Sequence, residues 1–270
     1  MAQSAVEGRK RGSLPRGLRV QRRILSALMV RYLIEEFGRS NVGFLWIIIT
    51  PLLLCSGVLI VRSMIMNPID HGVSLIALIY SGYLPLTLFR HLTNGGVFLL
   101  RRNAYLLYHR HVTLLDTILA MAALETISCS VALVFVYWFL VTFGLVEPIA
   151  DYGLFACGWL VMAFLAAGIG AAFAVLTETY EKSDRFIQPG QYLILPLCGF
   201  FFMVDWLPFF AQKLAWWMPT VHCYEMIRAG MFGERTVTHY DIWYPLLWGF
   251  ALFAWSIPRL DAAREKINFG

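Results

Sequence analysis

Few side chains in this chain have the types and spacing that catalysis or metal binding requires. No Gly-Lys dipeptide occurs, so the chain lacks the phosphate-binding loop of an ATPase, and neither a GxSxG hydrolase motif nor an HExxH zinc motif is present. His109 and His111 stand two positions apart in a basic segment, which is a weak indication of metal ligation. The acidic residues that an enzyme acting on lipid-linked sugars would cluster are instead scattered: Asp116, Glu125, Glu178 and Glu181. The sequence therefore predicts a non-catalytic chain with no metal and no cofactor of its own.

The composition indicates an integral membrane protein. Hydrophobic residues make up 59% of the chain and charged residues only 14%, and the mean hydropathy is +0.65. A soluble domain is about half apolar and about a quarter charged. The apolar runs are continuous rather than alternating, so they predict helices and not the strands of a barrel. The five cysteines match no metal-binding spacing and are interpreted as small buried side chains.

Six apolar segments are predicted to span the membrane. They cover about residues 42–61, 73–89, 118–146, 152–177, 191–204 and 242–257. The predicted fold class is therefore an all-α membrane protein with its transmembrane domain at residues 42–260. Residues 1–17 are expected to form a disordered basic N-terminus and residues 261–270 a cytoplasmic tail. The fourth segment is rich in glycine and alanine, which predicts close contact with neighbouring helices.

The basic residues assign the cytoplasmic side. With these six spans, most of the 22 lysines and arginines fall on the side that carries both termini. The positive-inside rule therefore predicts that both termini are cytoplasmic. Much of the net charge of +5 then reflects topology, and no nucleic-acid partner is needed to explain it.

Residues 18–41 are predicted to form an amphipathic helix at the membrane surface. Apolar residues recur at helical spacing from Val20 to Phe37, and charged residues such as Arg31 and Glu35 take the other face. A basic helix of this kind suits the headgroup layer of a bilayer. A cytoplasmic helix packed on protein is the alternative.

Residues 199–233 are too apolar for a solvated loop and too interrupted by charge and proline for a membrane span. Non-helical backbone and charged residues are tolerated at membrane depth only where protein or water surrounds them. We therefore expect re-entrant helices over residues 205–232, on the extracytoplasmic side. They either line or gate a translocation path, or only close the helix bundle.

Two short helices are predicted within this stretch. Asp205 is expected to cap the first, and Thr220 is expected to cap the second, which ends at Gly230. Glu225 and Arg228 are three residues apart and therefore share one face of the second helix.

Four segments then follow one another in a distinctive order. They are RYLIEEFGRSNVGFLW (31–46), NAYLLYHRHVTLLD (103–116) leading to Leu124–Glu125, the Leu207–Pro208 pair, and MPTVHCYEMIRAGMFG (218–233). In this order they resemble the membrane subunit of ABC exporters of capsular polysaccharide, within the ABC-2 type transporters, over about residues 28–260. The chain departs from the family pattern at Thr50, where glutamate is common, and at Ala122–Ala123, where arginine often precedes the Leu-Glu pair.

The resemblance implies an assembly and a set of functional residues. It implies a homodimer of six-span subunits and a separate ATPase subunit that binds ATP and Mg²⁺. Residues 101–111 would be the coupling helix, with these contacts to the ATPase: Arg101, Arg102, Asn103, Leu107, Tyr108 and Arg110. The substrate entrance and conduit would include Arg31, Arg39, Arg90, Glu125, Trp216, Trp217 and Arg228. For Glu125 the residues alone leave two interpretations open, a polar tie between helices or a residue of the pathway.

The expected function is export of lipid-linked capsular polysaccharide across the bacterial inner membrane. A periplasmic co-polymerase and an outer-membrane exporter are expected as further partners. An exporter of O-antigen or teichoic acid is the close alternative. A drug exporter or a membrane enzyme of lipid-linked sugars fits the sequence less well.

Overall fold

The computed structural model describes residues 14–37, 72–97, 113–180 and 182–268, together with Ile69, Asp70, Leu99 and isolated positions between 49 and 64. The helices and strands, in chain order, are α1 Leu14–Phe37, β1 Ile69–Asp70, β2 Val73–Ser74, α2 Leu75–Gly96, α3 Leu114–Thr142, α4 Tyr152–Thr179, α5 Asp184–Ile194, α6 Phe209–Ala215, α7 Pro219–Phe232 and α8 Trp243–Asn268. Tight 3₁₀ turns occur at Leu195–Leu197, Val204–Trp206 and Gly233–Arg235. The two short strands pair antiparallel.

Among the described residues, three helices are long and apolar enough to cross a membrane: α2, α3 and α4. They coincide with the predicted second, third and fourth spans, so the helical membrane fold is confirmed. The predicted first span, residues 42–61, lies largely outside the described residues. In place of the fifth span the chain forms α5 and a 3₁₀ turn that ends at Leu197, and in place of the sixth it forms α8. The six-span topology stays a prediction.

Local polar contacts define where α3 and α4 begin. Thr113 and Asp116 form a reciprocal capping box at the start of α3, in which each side chain binds the other residue's backbone N–H. Asp151 caps α4 by accepting hydrogen bonds from the N–H groups of Gly153 and Leu154, at 2.8 and 3.0 Å. Both helices can therefore be largely apolar and still start at a defined residue.

The predicted caps of the two short helices are wrong. Helix α6 begins after Pro208, and Asp205 lies before it in a 3₁₀ turn. Helix α7 follows Met218, and its first residue is Pro219, whose φ angle is already helical. Thr220 is thus inside the helix rather than at its cap. The helix also continues beyond Gly230 to Phe232.

Glycines of α4 bring three helices into backbone contact with it. A Cβ atom placed on Gly170 would come within 2.5 Å of the Leu92 carbonyl oxygen of α2. One on Gly168 would lie 3.1 Å from the Gly249 carbonyl oxygen of α8, and one on Gly158 would lie 2.9 Å from the backbone nitrogen of Ile227 in α7. The close contacts expected from the small residues of this segment are therefore confirmed.

Helix α1 packs on the protein through one face. Leu28 and Tyr32 are buried against residues of α3, α4 and α8. The opposite face exposes apolar side chains near the end of the helix, with Val30, Leu33 and Ile34 each about half exposed. One face thus packs as in a cytoplasmic helix, while the other keeps the apolar character of a surface helix. Its position at the membrane surface stays a prediction.

Replacing Gly96 or Gly170 by alanine is expected to force α2 and α4 apart. The Cβ of Gly96 would lie 2.0 Å from the Gly170 carbonyl oxygen, and a backbone atom cannot move aside as a side chain can. Overpacking of this kind costs about 1–3 kcal/mol of the free energy of unfolding. Thermal denaturation of the detergent-solubilised protein should show a lower transition temperature for G96A and G170A.

Gly190 of α5 provides the matched control, because no described atom outside the local helix backbone lies within 4 Å of a Cβ placed there. G190A should leave the transition temperature unchanged or raise it slightly, since alanine favours helix more than glycine does. Equal stability of G96A, G170A and G190A would contradict the close packing.

Candidate functional site

Helix α7 carries three polar side chains in a buried row. His222, Glu225 and Arg228 are spaced three residues apart, and their exposed fractions are 2%, 1% and 0%. Every residue of α7 from Thr220 to Phe232 is buried. Polar groups so enclosed are costly unless each finds a hydrogen-bond partner. The partners found are backbone groups of the irregular chain around the helix, so we call these three residues the α7 ladder.

Arg228 holds the segment that follows the Leu195–Leu197 turn. One guanidinium nitrogen donates to the carbonyls of Gly199 and Phe202, and the other donates to the carbonyl of Phe200 at 2.8 Å. The planar fork of arginine suits several carbonyls at once, whereas an ammonium is a point charge. Gly199 has a φ of +91°, a conformation that favours glycine, and it turns the chain toward the guanidinium.

Glu225 and His222 hold two further segments. The Glu225 carboxylate accepts hydrogen bonds from the N–H of Val204 at 3.1 Å and of His239 at 3.0 Å. The His222 ring accepts at Nδ1 from the N–H of Asp241, and Nε2 lies 3.0 Å from the carbonyl of Trp216. Since Nδ1 accepts, Nε2 must carry the proton that it donates to this carbonyl. Glu225 and Arg228 share one side of α7, as predicted. Both bind the segment that begins at Gly199, and Glu225 also joins it to His239.

The predicted tryptophans lie at the rim of this arrangement. The exposed fraction is 44% for Trp216 and 77% for Trp217. Each is held by its backbone, because the Trp216 carbonyl accepts from His222 and the Trp217 carbonyl accepts from the hydroxyl of Tyr244 at 3.0 Å. Phe209, at the start of α6 and seven positions before Trp216, is 72% exposed. The Trp216 ring packs edge to face against the His222 ring, with 5.1 Å between ring centres, and the rest of its surface is exposed, as is most of the Trp217 ring.

A cavity of about 660 Å³ lies near the C-terminal end of α7. Apolar residues dominate its lining, among them Leu75, Val146 and Phe232, and Arg235 and Glu147 also line it and form an ion pair with each other. Such a lining suits an apolar group rather than a polar sugar chain.

The predicted conduit residues Arg90 and Glu125 contact neighbouring helices. Arg90 of α2 donates to the hydroxyl of Tyr192 in α5 at 2.8 Å, and its guanidinium carbon lies 4.8 Å from the centre of that ring. Glu125 of α3 lies 3.0 Å from Nδ1 of His91 in α2. Of the two interpretations of Glu125, the structure shows the polar tie between helices. A role of either residue in the pathway stays a prediction.

Arg31 of α1 binds the Glu35 carboxylate one turn further along the helix through two of its nitrogens, at 2.9 and 2.8 Å. Arg39 lies outside the described residues. So do all the predicted contacts to an ATPase: Arg101, Arg102, Asn103, Leu107, Tyr108 and Arg110. Their roles stay predictions.

A second polar node lies where the predicted coupling segment meets α3. Asp116 is 3% exposed; one carboxylate oxygen accepts from Thr113 in the capping box, and the other accepts from the side-chain amide of Gln21 in α1 at 2.9 Å. The first turn of α3, which begins three residues after the predicted coupling segment, is thus linked to α1.

The sequence analysis did not predict the hydrogen bonds of His222, Gln21 and Tyr192. For His222 a signal existed, since His222, Glu225 and Arg228 recur every three residues in an otherwise apolar helix. For Gln21 and Tyr192 no local signal existed, because their partners lie about a hundred residues away in the chain.

The apolar helices α2, α3 and α4 and the buried polar row of α7 describe a helical membrane protein. Residues 25–232 match the ABC-2 type transporter family. This match covers well over half of the chain, and the chain belongs to that family.

The names of the similar proteins describe a narrower function than the family description does. The chain is 33% identical over 251 residues to the capsule polysaccharide export inner-membrane protein CtrC of Neisseria meningitidis serogroup B. The aligned region covers 93% of this chain and 95% of CtrC. It is 31% identical over 235 residues to the protein of the same description, BexB, of Haemophilus influenzae, covering 87% and 89%. The polysialic acid transport protein KpsM of Escherichia coli is 27% identical over 223 residues, covering 78% and 82%. The resemblance to capsule exporters is confirmed.

Replacing Arg228 by methionine is expected to release the segment around Gly199–Phe202. The three carbonyls would lose their donors in an apolar environment, at about 1–3 kcal/mol for each unsatisfied group. Limited proteolysis of the purified protein, without any substrate, should cleave this segment faster in R228M than in the wild type. R228K should be intermediate, because the ammonium keeps the charge but not the planar fork.

Arg235 is the matched control, since its side chain is 60% exposed and pairs with an equally exposed Glu147. R235M should resemble the wild type, because surface ion pairs contribute little. If R228M is as resistant to protease as R235M, the holding role of Arg228 is wrong.

Proposed function

We propose that this chain is the membrane subunit of an ATP-driven exporter of lipid-linked capsular polysaccharide. The observation that carries the proposal is the similarity over 93% of the chain to a capsule polysaccharide export inner-membrane protein. The apolar helices α2, α3 and α4 support a place in the inner membrane. We further propose six spans with both termini in the cytoplasm, as the distribution of basic residues indicates.

ATP hydrolysis belongs, in this proposal, to a separate partner subunit that binds ATP and Mg²⁺. The sequence supports this, since it contains no phosphate-binding loop. Two copies of this chain would form one conduit, and residues 101–111 of each would bind the ATPase. Closure of the ATPase subunits would move these segments, and the helices attached to them, as rigid bodies.

The Asp116 node suggests how such motion enters the membrane domain. Thr113 lies two positions after the end of the predicted coupling segment and begins the capping box of α3. Asp116 then links α3 to Gln21 of α1, and Leu28, about two turns further along α1, packs in one apolar cluster with residues of α3. We therefore infer that α1 and the cytoplasmic end of α3 move together.

The segments around α7 would form the exit of the conduit. An exit needs irregular chain at membrane depth, and this is tolerated only where protein satisfies its backbone groups. The α7 ladder supplies those partners. The exposed rings of Trp216 and Trp217 would offer faces on which sugar rings slide. Arg31, Arg39, Arg90, Glu125 and Arg228 are retained as proposed residues of the entrance and conduit.

We also propose a periplasmic co-polymerase and an outer-membrane exporter as further partners. A polysaccharide that leaves the inner membrane still has to cross the periplasm and a second membrane. These partners would receive it at the extracytoplasmic face, where the ladder and the two tryptophans lie in the proposed topology.

Deleting the gene in its native host should abolish surface polysaccharide and leave the glycan inside the cell, and a plasmid copy should restore export. The double variant Leu107→Asp, Tyr108→Asp should insert normally but fail to restore it, because charge would prevent apolar docking on the ATPase. Antibody staining of intact and permeabilised cells measures both pools.

The conservative pair Leu107→Ile, Tyr108→Phe keeps the apolar surface and is the control. Full export by the aspartate pair would contradict the coupling role. An unchanged capsule in the deletion strain, or ATP hydrolysis by the purified chain alone, would contradict the function itself.

Gln21→Glu is expected to reduce export, because a second carboxylate would face buried Asp116 where an amide now donates. Gln21→Lys should retain export, since an ammonium can donate to the same oxygen. Surface staining, normalised to protein in the membrane fraction, compares the two variants. If they export equally well, the contact does not transmit the motion of the coupling segment.

A further inference from the structure

Three side chains with different donor atoms meet between α2 and α3. His91 comes from α2, and Glu125 and Cys129 come from adjacent turns of α3. Nδ1 of His91 lies 3.0 Å from the Glu125 carboxylate, and all three ligand atoms lie within 4.8 Å of one another. The exporter function proposed above assigns no task to this combination.

We propose that His91, Glu125 and Cys129 form a zinc-binding site. One imidazole nitrogen, one carboxylate oxygen and one sulfur are the donors that Zn²⁺ takes in proteins, whereas Mg²⁺ and Ca²⁺ prefer oxygen alone. Zinc bonds of about 2.0–2.3 Å place neighbouring donors roughly 3–4 Å apart. Small side-chain rotations would therefore bring the three ligand atoms to the separations found in zinc sites.

The charge of the complex suits its position. At a rise of about 1.5 Å per residue, Glu125 lies about 16 Å along α3 from the first residue of the helix. If α3 spans the membrane, this position is well inside a hydrocarbon layer of about 30 Å. A lone carboxylate is costly at that depth. One Zn²⁺ with one carboxylate and one thiolate has no net charge, so the ion would remove this cost.

Burial of the three side chains leaves one approach open. Cys129 is 4% exposed and the Glu125 side chain 15%, but the His91 side chain is 45% exposed. The ion would enter on the histidine side and keep a water molecule in the fourth position, as zinc sites with three protein ligands do. On binding, the Cys129 thiol proton passes to solvent water, and bonds to zinc replace the contact between His91 and Glu125.

A bound ion would join α2 to α3 more firmly than the hydrogen bond does. Both helices belong to the proposed wall of the conduit, so occupancy would restrain their relative movement. The site concerns this chain alone and does not depend on the identity of the exported glycan.

Cobalt binding tests the site directly. The purified, tag-free chain in detergent is titrated with Co²⁺, whose thiolate complexes absorb in the near ultraviolet, and the bound Co²⁺ is then displaced with Zn²⁺. We expect one equivalent per chain, a thiolate absorption band, and loss of that band on adding Zn²⁺. C129S should lose the band, and E125Q should weaken binding at least tenfold.

Cys157 of α4 is the matched control, because it is a free and partly buried cysteine outside the cluster. C157S should bind as the wild type does, and size-exclusion profiles should show that all variants remain folded. The proposal is overturned if the wild type shows no thiolate band, if C129S keeps it, or if C157S loses it as well.

Discussion

Irregular backbone among apolar side chains has to find hydrogen-bond partners inside the protein, and the architecture around α7 follows from this constraint. The segments that begin at Gly199, Trp216 and His239 lie outside the α-helices. The α7 ladder supplies donors and acceptors to all three. Because α7 is buried along its whole length, the three segments are held around one rigid helix. An apolar helix would leave these backbone groups unsatisfied, so the polar row is what permits a broken chain at this place.

The position of α7 depends in turn on the small residues of α4. Gly158 lets the backbone of α7 approach that of α4, and Gly168 and Gly170 do the same for α8 and α2. Backbone-to-backbone contact leaves no space for a side chain and little freedom to slide. Helix α4 thus packs against α2 and α8 and also against α7, the helix of the proposed exit. A change in its packing would move the ladder together with the segments that the ladder holds.

Polar contacts elsewhere in the described residues join helices pairwise. Asp116 links α3 to α1, Glu125 links α3 to α2, and Arg90 links α2 to α5. Unlike the glycine contacts, the bonds of Glu125 and Arg90 can break and re-form as helices shift. In the proposed transport cycle, rigid groups of helices would move relative to one another across these two contacts, while the Asp116 contact keeps α1 and the start of α3 together.

Composition and periodicity predicted a helical membrane chain, with α2, α3 and α4 near their observed bounds. The family likeness came separately, from the resemblance of four ordered motifs to a known family. These are local properties, readable from short windows of sequence. Local reasoning failed at the caps, where the prolines before and within the short helices outweighed Asp205 and Thr220. It also did not foresee that Arg228 would bind carbonyls almost thirty positions earlier in the chain, or that Gln21 would reach Asp116. Only the tertiary structure decided these partners, because a buried polar group binds whatever packing brings within about 3 Å, and packing depends on the whole chain.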